Sequence, residues 1–299
     1  MTARVPSPTL RALLRRVVDY AGVFPPASLS MQDAVVRYVS HLRSPDAWML
    51  GRFVARVEQL DELARAALPL VAHEEEPWRL SAIVGTDLAG AGRLIRAFNA
   101  SHRGRFLVDV VECQPIPKGA IARAVGVLPG ELRAFVELPL VDDPRPMLME
   151  IAAAGAWAKM RTGGVTTESI PATFQVARLI ARAAEVRIPF KATAGLHHPL
   201  RGEYALTYDD IAPRSRMFGF LNVFAAAVFA QQNMSEKRLT QLLEEVDPKA
   251  MVFGADQLRW RDCSATAKQI VSARSSLAVS FGSCSFSEPV EGLRAMGSL

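Results

Sequence analysis

The sequence predicts a single (β/α)8 barrel with its catalytic mouth at the carboxyl ends of the strands. Three observations lead there. The chain has 299 residues, a normal length for a barrel that typically needs about 250 and tolerates insertions. Hydrophobic residues make up 50% of it, enough for a large core. Short apolar runs rich in Val, Ile, Phe and Leu alternate with helical patterns, as expected for a parallel sheet covered by helices.

Eight runs are candidate strands: residues 17–23, 49–55, 80–85, 106–112, 134–140, 157–162, 189–194 and 217–223. The helices between them carry end signals. Ser30 precedes an apolar-periodic stretch over 31–42, and Asp87 precedes another over 88–99; both residue types cap helix N-termini by accepting from free backbone N–H groups. Pro144 and Pro171 fall where helices can start, because a first-turn residue has no use for its N–H. Residues 170–186 and 235–246 are amphipathic, and Asp247-Pro248 ends the second.

The repeating unit breaks down after residue 250. The sequence divides into a barrel over 1–250 and a C-terminal extension over 251–299 packed on it. Within that extension, 251–262 reads as a hairpin around Gly254-Ala255-Asp256, 264–275 as a helix, 278–286 as a strand and 289–296 as a short helix. Phe253, Trp260, Phe281 and Phe286 require burial against the barrel or a partner subunit, so a homo-oligomer is one expectation.

Composition narrows the function classes. The net charge is +5, but the arginines lie inside amphipathic patterns such as 176–182, with no accompanying aromatic motif. They read as a solvated helix face and not as a nucleic-acid surface. The three cysteines, Cys113, Cys263 and Cys284, show no CxxC spacing, which argues against a disulfide framework or a zinc knuckle. Arg11, Arg15 and Arg16 interrupt any leader-like apolar core. The run 218–230 is too short for a membrane span. The expectation is a soluble cytoplasmic protein without membrane or nucleic-acid partners.

Strands of an all-parallel sheet should be almost purely apolar, so charged residues within them carry the information. Asp109, Glu137, Lys159 and Lys191 interrupt four of the runs, and Arg161 follows Lys159 on the same face. Unpaired burial would cost each several kcal/mol, which convergence on one cavity relieves. Neighbouring cations also depress a lysine pKa, and this makes an amine nucleophilic near neutral pH. Arg52 in the second run is a candidate clamp for an acidic group, and Asp19 ends the first run near the mouth. Glu112 and Gln114 follow Asp109 and line the same rim. The pair His197-His198 follows the seventh run, where barrels keep catalytic loops, and suits proton transfer or metal binding. His41, His73 and His102 read as surface residues, and Ser283-Cys284-Ser285 as a buried structural cysteine with no histidine placed beside it.

The stretch from Lys159 to Leu196 reads Lys-Met-Arg-Thr-Gly-Gly, then a helix, then Phe-Lys-Ala-Thr-Ala-Gly-Leu. In this it resembles the deoxyribose-phosphate aldolase family of class I aldolases, over residues 106–196. The resemblance implies that Lys159 forms a Schiff base, that Lys191 lowers its pKa, and that Asp109 and Glu137 stand near the family's strand-four Asp and strand-five Glu. The chain departs from the family where the phosphate cradle belongs. Gly195 is followed by Leu-His-His-Pro, and residues 218–223 contain no Gly-Ser pair. Thr162, Gly163 and Gly164 offer backbone N–H groups to an anion instead, with Thr193 beside them.

The resulting expectation is a Schiff-base lyase for a small carbonyl or acidic substrate, with no organic cofactor and no metal. Lys159, Lys191, Asp109, Glu137, His197 and His198 would be its catalytic residues. Arg52, Arg161, Thr162, Gly163, Gly164, Thr193 and Asp19 would bind substrate. Two alternatives stand beside it: a metal-dependent barrel lyase, isomerase or hydrolase using His197 and His198, and a non-catalytic barrel binding a small acidic ligand.

Overall fold

A computed structural model describes residues 5–71, 76–140 and 143–299; His73 lies outside them. Helix α1 (Pro8–Leu14) leads into β1 (Val18–Tyr20) and α2 (Met31–Leu42). There follow β2 (Leu50–Arg56), α3 (Leu60–Ala67), β3 (Trp78–Val84), α4 (Leu88–Ser101), β4 (Phe106–Cys113) and α5 (Ile121–Val125). The chain continues through β5 (Arg133–Leu138), α6 (Arg145–Ala153), β6 (Trp157–Arg161), α7 (Thr173–Val186) and β7 (Phe190–Thr193). A hairpin of β8 (Gly202–Ala205) and β9 (Arg214–Met217) precedes α8 (Phe220–Ala230) and α9 (Glu236–Leu243). The last elements are β10 (Met251–Phe253), β11 (Gln257–Trp260), β12 (Cys263–Thr266), α10 (Ala267–Ser276), β13 (Ala278–Ser283) and α11 (Ser287–Ala295).

Eight parallel strands close a barrel in the order β1-β13-β7-β6-β5-β4-β3-β2. The first seven are the expected ones. The eighth is not residues 217–223 but β13, so the strand that closes the barrel lies inside the segment expected to be an extension. The reason is the character of residues 220–230. All eleven residues of α8 are buried, and a helix apolar on every side shows no 3.6-residue periodicity to separate it from a buried strand. In space α8 fills the helical position between β7 and β13, packed by α7, α9 and α10, and its Phe220 and Phe224 lie on Phe281 of β13 at 5.4 and 5.8 Å between ring centroids.

Part of the C-terminal segment does stand outside the barrel. Strands β10, β11 and β12 form a three-stranded antiparallel sheet, packed on α1, with Trp260 fully buried. The helix-end signals hold as well: Ser30 accepts from Asp33 N–H at 3.1 Å and Asp87 from Gly90 N–H at 2.8 Å. Among the described residues no helix is long and apolar enough to cross a membrane. His41 is not a surface residue. It is half-buried between Tyr20 and Phe286, with centroids at 5.5 and 5.0 Å, and burial followed by Arg37 pushes its pKa down to about 4. His102 likewise packs on Phe98 at 4.7 Å.

Candidate active site

Charged side chains from five strands meet inside the carboxyl half of the barrel. Register sets Lys159 beside Lys191 across β6 and β7, and Glu137 beside Lys159 across β5 and β6. The Lys191 ammonium lies 2.6 Å from Asp19 Oδ2 and 2.5 Å from Glu112 Oε1. Ser81 Oγ donates to the same Glu112 oxygen at 2.7 Å, and Ser280 Oγ to Asp19 Oδ2 at 2.8 Å. Asp19 Oδ1 accepts the backbone N–H of Arg52 at 2.8 Å. That close approach needs Gly51, since a Cβ there would stand 2.4 Å from the same oxygen. The second Glu112 oxygen faces Lys159 Nζ at 3.8 Å, and Glu137 Oε2 stands 3.0 Å from it.

The two lysines therefore differ. Lys191 is locked: its side chain is 1% exposed and held between two carboxylates. Burial opposes its charge, but Asp19 and Glu112 outweigh burial and raise its pKa. Burial likewise opposes ionisation of Glu112, yet Lys191 and then Lys159 hold its carboxyl down at about 2. Lys191 thus acts as a fixed cation whose field is spent on its own carboxylates, and the repulsion of Lys159 expected from it is offset. Lys159, by contrast, borders an open cavity.

That cavity of ≈ 320 Å³ lies at the carboxyl ends of the strands. Its floor is Glu112, Lys159, Thr193 and Gly282, and Phe24, Pro25 and Pro26 after β1 supply an apolar wall. Arg161, Gly164, His197 and His198 border it from the segments at the ends of β6 and β7. Residues 205–208 of the hairpin and Cys284 and Glu288 after β13 complete the enclosure. The volume is at the small end of the roughly 300–1,000 Å³ range of ligand pockets. Thr162 and Gly163 do not border it; they clasp the β6 and β7 loops together. Thr162 Oγ1 donates to Ala194 O at 2.6 Å. Gly195 has φ +76°, and a Cβ on it would stand 3.0 Å from Gly163 Cα.

The two histidines play unlike parts. His198 stacks on Tyr204 at 3.5 Å with 16° between the rings; burial pushes its pKa down to about 4, leaving it a neutral wall. His197 instead points Nδ1 at Glu288 Oε2, 2.8 Å away, with Ser283 Oγ at 3.4 Å. Tyr208, on the turn between β8 and β9, donates to the same Glu288 oxygen at 2.9 Å. A histidine thus does accompany the Ser283-Cys284-Ser285 stretch. Burial raises the pKa of the Cys284 thiol. Among the described residues no group of three His, Cys, Asp or Glu side chains is disposed to hold a metal ion.

Two expected members lie elsewhere. Asp109 is bound in bidentate fashion by Arg52, at 2.7 Å from each of its oxygens, with Arg79 at 3.5 Å. Arg52 borders a small pocket with Arg133 and Trp157, near the amino ends of the strands. The cause is a register irregularity: Leu80 pairs with Val108 but Ser81 with Val110. Asp109 is the extra residue, and a one-residue slip reverses which side chains face inward. Glu112, three residues on, takes the place beside Lys159 that was expected for Asp109. Arg52 contributes to the site only through its backbone N–H. Ser81, Ser280, Tyr208 and Glu288 were not singled out from the sequence. Only the two serines gave a signal, as polar residues inside apolar strands.

Fold and site together define a class: a (β/α)8 barrel whose mouth holds a buried lysine–carboxylate cluster beneath a histidine–glutamate pair. Beyond that class, no protein-family model matches the chain, and no curated protein matches it.

Proposed function

We propose that the protein is a Schiff-base lyase that acts on a small carbonyl compound through Lys159. The observation that carries this reading is the asymmetry of the two lysines. Lys191 is sealed between Asp19 and Glu112, while Lys159 borders the cavity with a proton acceptor, Glu137, 3.0 Å from its nitrogen. Lys159 passes a proton to Glu137 and its lone pair adds to the substrate carbonyl carbon; the carbonyl π pair moves to oxygen, which takes a proton from the nitrogen. The carbinolamine then loses water, with Glu137 returning the proton to the departing hydroxyl, and an iminium ion remains. The electrons of the bond between the α- and β-carbons then form the enamine double bond as the carbon–nitrogen π pair returns to nitrogen, while a β-hydroxyl gives its proton to solvent at the open mouth and the β-carbon leaves as an aldehyde or ketone; covalent amine catalysis thereby divides one hard step into easier ones. Arg161 at the rim offers a guanidinium to an acidic group on the substrate. The cavity volume favours a small substrate.

Borohydride reduction in the presence of small aldehydes and ketones, followed by peptide mass mapping, tests the reading. The expected result is one reduced adduct, on Lys159, absent from Lys159→Ala and Lys159→Arg. Adduct on Lys191 or on surface lysines alone would overturn it.

A further inference from the structure

We infer that His197, held by Glu288 and Tyr208, is the base that moves the proton on the carbon next to the imine, so that the substrate is an enolisable aldehyde or ketone. The inference rests on the Schiff-base reading and goes past it, because imine formation needs neither His197 nor an α-hydrogen.

The geometry assigns the ring's two nitrogens. Nδ1 lies 2.8 Å from Glu288 Oε2. Burial works against the Glu288 charge, but the hydrogen bonds from His197 and Tyr208 prevail and lower its pKa. An ionised carboxylate only accepts, so Nδ1 carries a hydrogen, and in the neutral form of the ring the lone pair is on Nε2. Nε2 has no hydrogen-bond partner among the described residues, while the side chain borders the cavity. A base oriented by a carboxylate is a recurrent arrangement for proton transfer, because the carboxylate fixes the tautomer and steadies the imidazolium that forms. Glu112 is held by Lys191 and Ser81, and Glu137 serves the proton transfers at the Lys159 nitrogen, which leaves the α-carbon to the His197 ring on the same cavity. β7 lies between β6, which carries Lys159, and β13, which leads into Ser283 and Glu288. Lys159 on β6 and His197 in the segment after β7 border the same small cavity.

The step balances within these groups. Nε2 takes the proton from the α-carbon, and the carbon–hydrogen pair becomes the enamine double bond. The carbon–nitrogen π pair returns to nitrogen and discharges the iminium. The imidazolium pairs with Glu288. The reverse step returns the proton to carbon, and water then releases the carbonyl compound and the Lys159 amine. Tyr208 ties the β8–β9 hairpin to this unit through Glu288, so Tyr208 and Glu288 are positioning residues and His197 the catalytic one.

Two readouts on one pair of probes, hydroxyacetone and pyruvate, test the assignment. Borohydride trapping reports the imine, and loss of the methyl or methylene proton signals in deuterium oxide reports α-proton transfer. The wild type is expected to trap at least one probe and to exchange its α-protons. His197→Gln should keep trapping but lose exchange by about 100-fold or more, the usual contribution of a general base. Glu288→Gln should do the same to a smaller degree, with Glu288→Asp restoring part of the loss. Tyr208→Phe, which keeps the ring and removes one hydrogen bond, should lower exchange least. Trapping without exchange in the wild type, or exchange unchanged in His197→Gln, overturns the assignment and leaves the Schiff-base reading standing. No trapping of either probe by the wild type counts against the Schiff-base reading itself, and the assignment falls with it.

Discussion

Replacing Lys191 by methionine removes the charge at the centre of the cluster while roughly keeping its apolar stem. Asp19 and Glu112 then face each other, with side chains 2% and 3% exposed. Breaking a buried pair by removing one partner costs about 3–5 kcal/mol, because the remaining charge is left uncompensated. A second route gives a similar figure. Glu112 is held at about 2 against an ordinary 4.5, and that gap corresponds to about 3 kcal/mol. In the wild type this stability is present above the ordinary carboxylate value and is lost as pH falls through about 2. In Lys191→Met the sign reverses. Burial becomes the leading influence, with Lys159 at 3.8 Å and the Ser81 hydrogen bond at 2.7 Å to oppose it, and Glu112 is expected to titrate above its unfolded value. Its destabilising effect then grows as pH rises through the new value. Urea unfolding followed by circular dichroism between pH 5 and 8 should show the variant weaker by several kcal/mol at pH 8 and partly recovered at pH 5. The wild type should change little over that range on this account. A variant within about 1 kcal/mol of the wild type at every pH would refute the picture of a buried charge cluster.

Other outcomes follow from single residues. Gly195→Ala forces a side chain onto a residue at φ +76° and into contact with Gly163 Cα at 3.0 Å, so it should cost about 1–3 kcal/mol, read as a lowered melting temperature. Asp109→Asn weakens the Arg52 pair near the amino ends of the strands and should cost about 1–3 kcal/mol. Because that pair lies away from the cavity, carbonyl trapping on Lys159 should persist; its loss would show that the two ends of the barrel are coupled.

The order of seven strands could be read because each is a short apolar run bounded by a helix with recognisable ends. The eighth could not, because α8 and β13 compete for the same role and α8 is the more apolar of the two. Lys159, Lys191 and Glu137 stood out as charges in apolar strands, and they do meet. Asp109 stood out for the same reason and is elsewhere, since alternation along β4 is broken by one residue that no local pattern announces. Glu112 was read as a rim residue beside Asp109, although it is the carboxylate that touches both lysines. The link from His197 to Glu288 spans 91 positions, and only the closing of β13 against β1 and β7 brings the two together.

Strand β13 also sets when the site can exist during synthesis. Lys191 and Asp19 depend on Ser280 and on the β1–β13 seam, so the charge cluster joins residues 261 positions apart. Until β13 leaves the ribosome, β1 and β7 are open edges and Lys191 lies at a gap in the wall. At about 5–20 residues per second, the 84 residues between β7 and β13 keep the nascent chain in that state for roughly 4–17 s. During this interval the fully buried α8, apolar but for Asn222, is already made but has no β13 to rest on. Strand β13 thus has three tasks at once: sealing the edges, covering α8 and completing the charge cluster. Any chaperone that attends this protein meets its most adhesive form just before the barrel closes.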